Sequence, residues 1–338
     1  VTVSVEPQTV FIERSGDRQF LSFDFKIENR GAQPLRISKI ELSVFDRAGS
    51  LQLRKFLASS GLQHGKDEIA SVEKQSSSFV YNPFEDFPQD VELASLRYDF
   101  TFVAGEDVPE STVTVTFRPT VFAAKTKLQL PLKGRVLVHD GHDFFAHHRR
   151  FNLSHPFLKE IGVSHNFTRF ASDLCIVNEN GDLRRNANKS NEDWYGFGAA
   201  VYSPGPGRVV RMRDGVADNI DGKATFTIED FRKDPTVPGG NFVIIDHLNG
   251  EFSLIAHMKQ GSLRVREGDM VRAGQQIGQM GVSGDAYLPH VHYELRDSRE
   301  LNANGLPAYF HDLVRVRGKR RINVPVDSIN SGDIFESR

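Results

Sequence analysis

One cysteine, Cys175, stands in 338 residues. It excludes an intrachain disulfide framework and any thiolate-cluster metal site. A metal bound by this chain must therefore be held by imidazole and carboxylate, and twelve histidines are present for that purpose. Long apolar runs are also missing: nothing approaches the roughly eighteen consecutive apolar residues of a membrane helix. Nor is there an excess of one charge, since Lys plus Arg number 42 against 44 for Asp plus Glu, a net of −2. A dedicated nucleic-acid binder carries a basic excess or a basic stripe. The short run Lys319-Arg320-Arg321 is neither and reads as a solvated segment. Nucleic acid is not an expected partner. What is present, 39% hydrophobic and 25% charged residues, is the profile of a globular protein long enough for two domains.

Residues 1 to about 154 read as strand after strand. Val1–Val5, Thr9–Glu13, Phe20–Glu28, Ile37–Phe45, Arg97–Val103, Thr112–Phe117 and Leu128–Val138 are β-branched or aromatic runs, many of them alternating. Turn signals separate them, among them Arg14–Asp17, Asn29–Gly31, Asp46–Gly49 and Ala104–Asp107. This spacing predicts an antiparallel β-sandwich of immunoglobulin-like type, without the Cys-Trp-Cys core of antibody domains. Only Arg54–Leu62 leans helical. From Val138 to Arg150 the polar stretch with His139, His142, His147 and His148 reads either as a second metal or substrate contact or, the favoured reading, as a β-hairpin turning at Asp140-Gly141. Adjacent His147 and His148 on a strand would point to opposite faces, which argues against one ion between them. The boundary falls near residue 155, giving domains 1–154 and 155–338. In the second, long polar loops are expected at 178–196 and 213–240.

Three segments of the second part carry chemistry. In Ser283-Gly-Asp-Ala-Tyr-Leu-Pro-His-Val-His-Tyr-Glu-Leu295, positions i and i+2 of a strand share a face, so His290, His292 and Glu294 project together. In Phe242–His257, Asn249-Gly250 predicts a two-residue type I′ turn, pairing His247 with Phe252 and Phe242 with His257. That register puts His257 with Ile255 and Ser253 and His247 on the other face; His257 is the functional candidate. In Val163–Val177, Asp173 interrupts an apolar strand, where an unpaired carboxylate is costly and a cation would relieve it. His165 precedes it across a turn with seven residues between, and Cys175, on the Asp173 face, reads as a small buried hydrophobe.

Together these segments resemble the LytM/lysostaphin-like zinc metallopeptidases that cut peptidoglycan cross-links. The resemblance covers about residues 160–312 and rests on Gly240-Asn-Phe-Val-Ile-Ile-Asp-His…Ala-His257, Val265-Arg-Glu-Gly-Asp-Met-Val-Arg-Ala-Gly-Gln-Gln-Ile-Gly278 and Gly281-Val-Ser-Gly…Pro-His-Val-His292. It implies a mostly β chain with an antiparallel catalytic sheet, Zn²⁺ held by His165, Asp173 and His292, and His257 with His290 as the catalytic pair. It also implies a zinc-activated water attacking peptidoglycan peptides outside the cytoplasm, periplasmic or secreted. His290 would serve as base and His257 as oxyanion or leaving-group donor, an order that the pattern leaves open. Two other readings are a catalytically silent binding or activator module with the same fold, and a biotinyl- or lipoyl-type carrier barrel. The second needs an acceptor lysine at an isolated turn tip; Lys259, between Met258 and Gln260, adjoins His257 instead.

Overall fold

The computed structural model describes residues 1–58, 71–105, 109–186 and 190–337. The chain divides into two compact units: Val1–Phe122 with Asn152–Lys159, and Ala123–Phe151 with Glu160–Arg338. The expected boundary near 155 is thus displaced, because Ala123–Phe151 packs with the second unit. Among the described residues no helix is long and apolar enough to cross a membrane.

The first unit is built of three small sheets. Its core follows from period-two alternation. Leu96, Tyr98 and Phe100 lie opposite Val44, Leu42 and Ile40, and all six are fully buried. The one polar atom this stacking buries at Tyr98 is satisfied, its hydroxyl donating to Asn82 Oδ1 at 2.9 Å. Phe20–Glu28, expected as one strand, is two: Arg18–Leu21 and Asp24–Asn29 belong to different sheets. Leu21 through Phe25 are all buried, so the chain changes sheets where both faces are covered. Arg54–Ala58, expected to lean helical, lies in the strand Leu51–Ala58; residues 59–62 of that expectation lie outside the described residues, as do Glu106 and Asp107 of the expected turn.

The second unit is organised by an eleven-stranded antiparallel sheet. Its central strands, in order, are Asn241–Asp246, Phe252–Met258, Val291–Arg296, Ser172–Ile176 and Gly134–Asp140, followed by Ile334–Ser337. Leu128–Val138, expected as one strand, begins its strand only at Gly134, after Pro131 and a left-handed φ of +90° at Gly134 itself. The expected hairpin at Asp140-Gly141 is not formed. Its first strand ends at Asp140, and 141–150 continues as successive turns. The polar stretch 213–240 holds a helix, Ile228–Lys233, started by a capping box between Thr227 and Asp230. Buried Asn219 in the same stretch donates to the Gly284 and Ala286 carbonyls, both at 2.8 Å, and so holds the loop that leads into His290. That loop approaches Pro238 so closely that a Cβ at Gly284, where φ is +77°, would lie 2.0 Å from its carbonyl oxygen. Only glycine fits there.

Candidate metal centre

Four neighbouring strands bring one row of residues across the sheet. Ala256 and Asp173 flank His292, and Asp140 is paired with Asp173 on its other side. The face opposite, with Ile255, Tyr293 and Ser253, is buried core. By strict alternation His257 would join Ile255 on that core face. It does not, because His257 has φ +60° and the ladder shifts register between Asn241 and Val243. The bulge re-aims its ring onto the His290/His292 side, with ring centroids 4.7 Å from His290 and 5.7 Å from His292. A left-handed non-glycine residue is costly and persists where a site requires it.

The hairpin register also differs from expectation. His247 faces Glu251 through its backbone N–H, and Asp246 rather than His247 is paired with Phe252. The loop is three residues, Leu248–Gly250, with Leu248 at φ +61° and Gly250 at +87°. His247 is buried away from the row, bonded to the Pro206 carbonyl at 2.7 Å and the Ser253 hydroxyl at 2.7 Å.

Asp173, 4% exposed, is the centre of the cluster. Its Oδ1 lies 3.0 Å from His292 Nδ1, 3.3 Å from His290 Nε2 and 3.4 Å from His148 Nε2. Each ring is anchored from outside by its other nitrogen. His148 Nδ1 donates to the Gly141 carbonyl at 2.9 Å, His290 Nδ1 to the Leu288 carbonyl at 2.9 Å, and His292 Nε2 to Glu294 Oε1 at 2.7 Å. His257 Nδ1 likewise donates to the Ser283 carbonyl at 2.9 Å, leaving Nε2 3.7 Å from Asp285 Oδ1. Carbonyl and carboxylate oxygens only accept, so each outer nitrogen carries a proton, and the inner nitrogen is the one that either donates to Asp173 or, deprotonated, offers a lone pair to a cation. Three such inner nitrogens meet one carboxylate oxygen, that of His292 in hydrogen-bond contact with it. His148 Nε2 is buried with no hydrogen-bond partner. A divalent cation fits this donor set of imidazole and carboxylate.

Burial lowers the His292 pKa, but hydrogen bonds to Asp173 and Glu294 outweigh it, and the ring is pushed up to about 10. Burial raises the Asp173 carboxyl, yet His290, His148 and His292 together hold it well below the usual carboxylate range. His257 is held well below the usual histidine value by burial and by His290 and His292, and burial also lowers His148.

Four of the five residues expected from sequence meet here: Asp173, His257, His290 and His292. The fifth does not. His165 is partly exposed, its Nδ1 on the Ser164 hydroxyl at 2.9 Å, and the position facing Asp173 is taken by His148. His147 stacks on His148, ring centroids 3.9 Å apart, and contacts Asp140, so both histidines reach this corner because the segment is turn rather than strand. Asp140, His147, His148 and Asp173 together form a group able to hold a metal ion. His142 packs on Phe170, and His139 lies 3.5 Å from the hydroxyl of exposed Tyr287. Cys175 is buried, its thiol pushed up by burial, as an inert hydrophobe would be.

Residues 194–304 match Peptidase family M23, and the chain carries an M23 peptidase domain there. His257, His290, His292 and Glu294 fall inside the match; His148 and Asp173 lie upstream of it. A stretch of 57 residues, 17% of this chain, is 32% identical to the cell division protein DipM of Caulobacter vibrioides (strain NA1000 / CB15N) and spans 9% of that protein's length. Among solved structures, the catalytic domain of lysostaphin from Staphylococcus simulans is 20% identical, covers 36% of this chain and 84% of its own, with a TM-score of 0.23. A zinc-containing peptidase from Vibrio cholerae is 13% identical and covers 84% of each chain, with a TM-score of 0.28.

Proposed function

We propose that this protein is a zinc-dependent endopeptidase that hydrolyses peptide cross-links of bacterial peptidoglycan, acting outside the cytoplasm. The observation that carries the metal reading is the convergence of three imidazole nitrogens on Asp173 Oδ1, one of them, His148 Nε2, otherwise without a partner. Asp173, His292 through Nδ1 and His148 through Nε2 are the ligands in this reading, with His148 in place of the expected His165. Zinc in such a site supplies a Lewis acid and lowers the pKa of a bound water to roughly 7. His257, kept neutral by burial and with its Nδ1 proton committed to Ser283, offers Nε2 as the acceptor for the proton of the attacking water. His290, beside it and beside Asp173, is placed to donate to the developing oxyanion or the leaving nitrogen. The substrate class rests on the M23 match and on the motifs of residues 240–292.

Two measurements on the full chain test this: zinc content after purification without chelator, and release of soluble peptides from purified peptidoglycan. Stoichiometric zinc with hydrolysis that a chelator abolishes and zinc restores supports the reading. Zinc without hydrolysis of any cross-link type leaves a silent binding module, and absence of zinc uptake overturns the ligand set.

A further inference from the structure

His292, Glu294 and Arg296 occupy alternate positions of one strand and share one face. Glu294 and Arg296 are buried, to 2% and 4% exposure, and His292 is partly buried. Across the ladder, Leu254 lies opposite Glu294 and Phe252 opposite Arg296, members of an apolar cluster with Phe242, Ile244 and Ala256. An ionised carboxylate in such surroundings is expensive unless it is paired. Its two pairings are specific: Oε1 accepts from His292 Nε2 at 2.7 Å, and Oε2 faces Arg296 Nε at 3.2 Å. Arg296 is in turn fixed by the Glu300 carbonyl at 2.8 Å, and its guanidinium lies 5.3 Å over the Phe167 ring.

We propose that Glu294 is a positioning residue for the metal centre, holding His292 in the tautomer and rotation that aim Nδ1 at the ion, with Arg296 keeping Glu294 in place and charged. This rests on the zinc reading above and deepens it. Two features support a role beyond packing. Glu294 spends its best hydrogen bond on the one nitrogen of His292 that faces away from Asp173, so the proton that leaves when a metal binds is the one on Nδ1, which then turns its lone pair to the ion. And a buried Glu–Arg pair on an apolar face contributes little stability by itself, since well-packed hydrophobic residues commonly replace such pairs without loss. The strand therefore carries ligand, carboxylate and cation at i, i+2 and i+4. Metal affinity becomes sensitive to Arg296, which does not face Asp173.

The test measures zinc affinity by chelator competition in the full chain, alongside the melting temperature of the metal-free protein. Glu294→Ala should weaken zinc binding by about 10- to 100-fold, the range for an outer partner of a metal-bound histidine. Glu294→Gln, which keeps an oxygen for His292 but loses the charge, should fall between Glu294→Ala and the parent. Arg296→Met should also weaken binding. The double variant Glu294→Met/Arg296→Met, which leaves no unpaired buried charge, is expected to fold with a melting temperature near the parent's yet bind zinc as weakly as Glu294→Ala. Should Glu294→Ala fail to fold, Glu294→Gln and the double variant decide the matter. Unchanged zinc affinity in both, beside a parent that binds zinc, overturns the positioning role. A parent that binds no zinc overturns the earlier reading instead.

Discussion

Replacing His148 by Ala separates this site from the one expected by motif alone. His148 supplies one of the three imidazole nitrogens at Asp173, and His165 supplies none. An outer-shell partner of a metal ligand is worth about 10- to 100-fold in affinity, so loss of a direct ligand should cost at least about 100-fold. At a zinc concentration 100 times the parent Kd, linkage stabilises the folded parent by about 2.7 kcal/mol. At the same concentration a site weakened 100-fold gains only about 0.4 kcal/mol. The missing increment, about 2.3 kcal/mol, corresponds to a zinc-dependent rise in Tm that is smaller by roughly 5–9 °C for a unit of this size. The assay is a thermal melt of parent, His148→Ala and His165→Ala, each with chelator and with zinc. Comparing each variant with itself removes the separate cost of the cavity left by a buried imidazole. The expected result is a parent-like zinc shift in His165→Ala and a collapsed one in His148→Ala. The reverse pattern would refute the ligand set.

Four further outcomes follow from the same geometry. His257→Ala and His290→Ala should each keep zinc while lowering peptidoglycan hydrolysis by about 100-fold or more, read by peptide release against metal content. His247→Ala should leave hydrolysis near the parent rate but destabilise the fold by about 1–3 kcal/mol in a urea titration, because the buried Ser253 hydroxyl loses its imidazole partner, keeping Tyr293 at 3.0 Å, and the missing ring leaves a cavity. Zinc affinity should rise with pH: His292, pushed up to about 10 in the metal-free protein, must release a proton to solvent before it can ligate zinc, so the apparent Kd falls about tenfold per unit between pH 6.5 and 8. A pH-independent Kd in that window would contradict a protonated His292. A chain cut to begin at residue 156 should bind no zinc, since it lacks both His148 and the strand Gly134–Asp140 that pairs with Ser172–Ile176; tight zinc binding by that fragment would contradict the assignment of 123–151 to this unit.

Local patterning alone determined half of the metal centre. His290, His292 and Glu294 at alternate positions, and a carboxylate at Asp173 inside an apolar strand, are legible because strand periodicity is two and a buried charge demands a partner. The mostly β character and the alternating aromatic core of the first unit were legible for the same reason. Tertiary structure decided what periodicity cannot carry. His257 reaches the site only through a left-handed residue at a bulge, which inverts the parity that alternation assigns it. His247 is removed from it by a three-residue loop where Asn249-Gly250 suggested two. The choice of His148 over His165 is the clearest case. The histidine-rich stretch 139–148, far upstream of the M23 match, marks His148 only as one of four candidates, and strand alternation argues against it. It becomes the partner of Asp173 because Gly134–Asp140 pairs with Ser172–Ile176, and the turns after Asp140 bring the ring back over that strand. Proximity in sequence favoured His165; the pairing of distant strands, which depends on register and burial across the whole sheet, put His148 there instead.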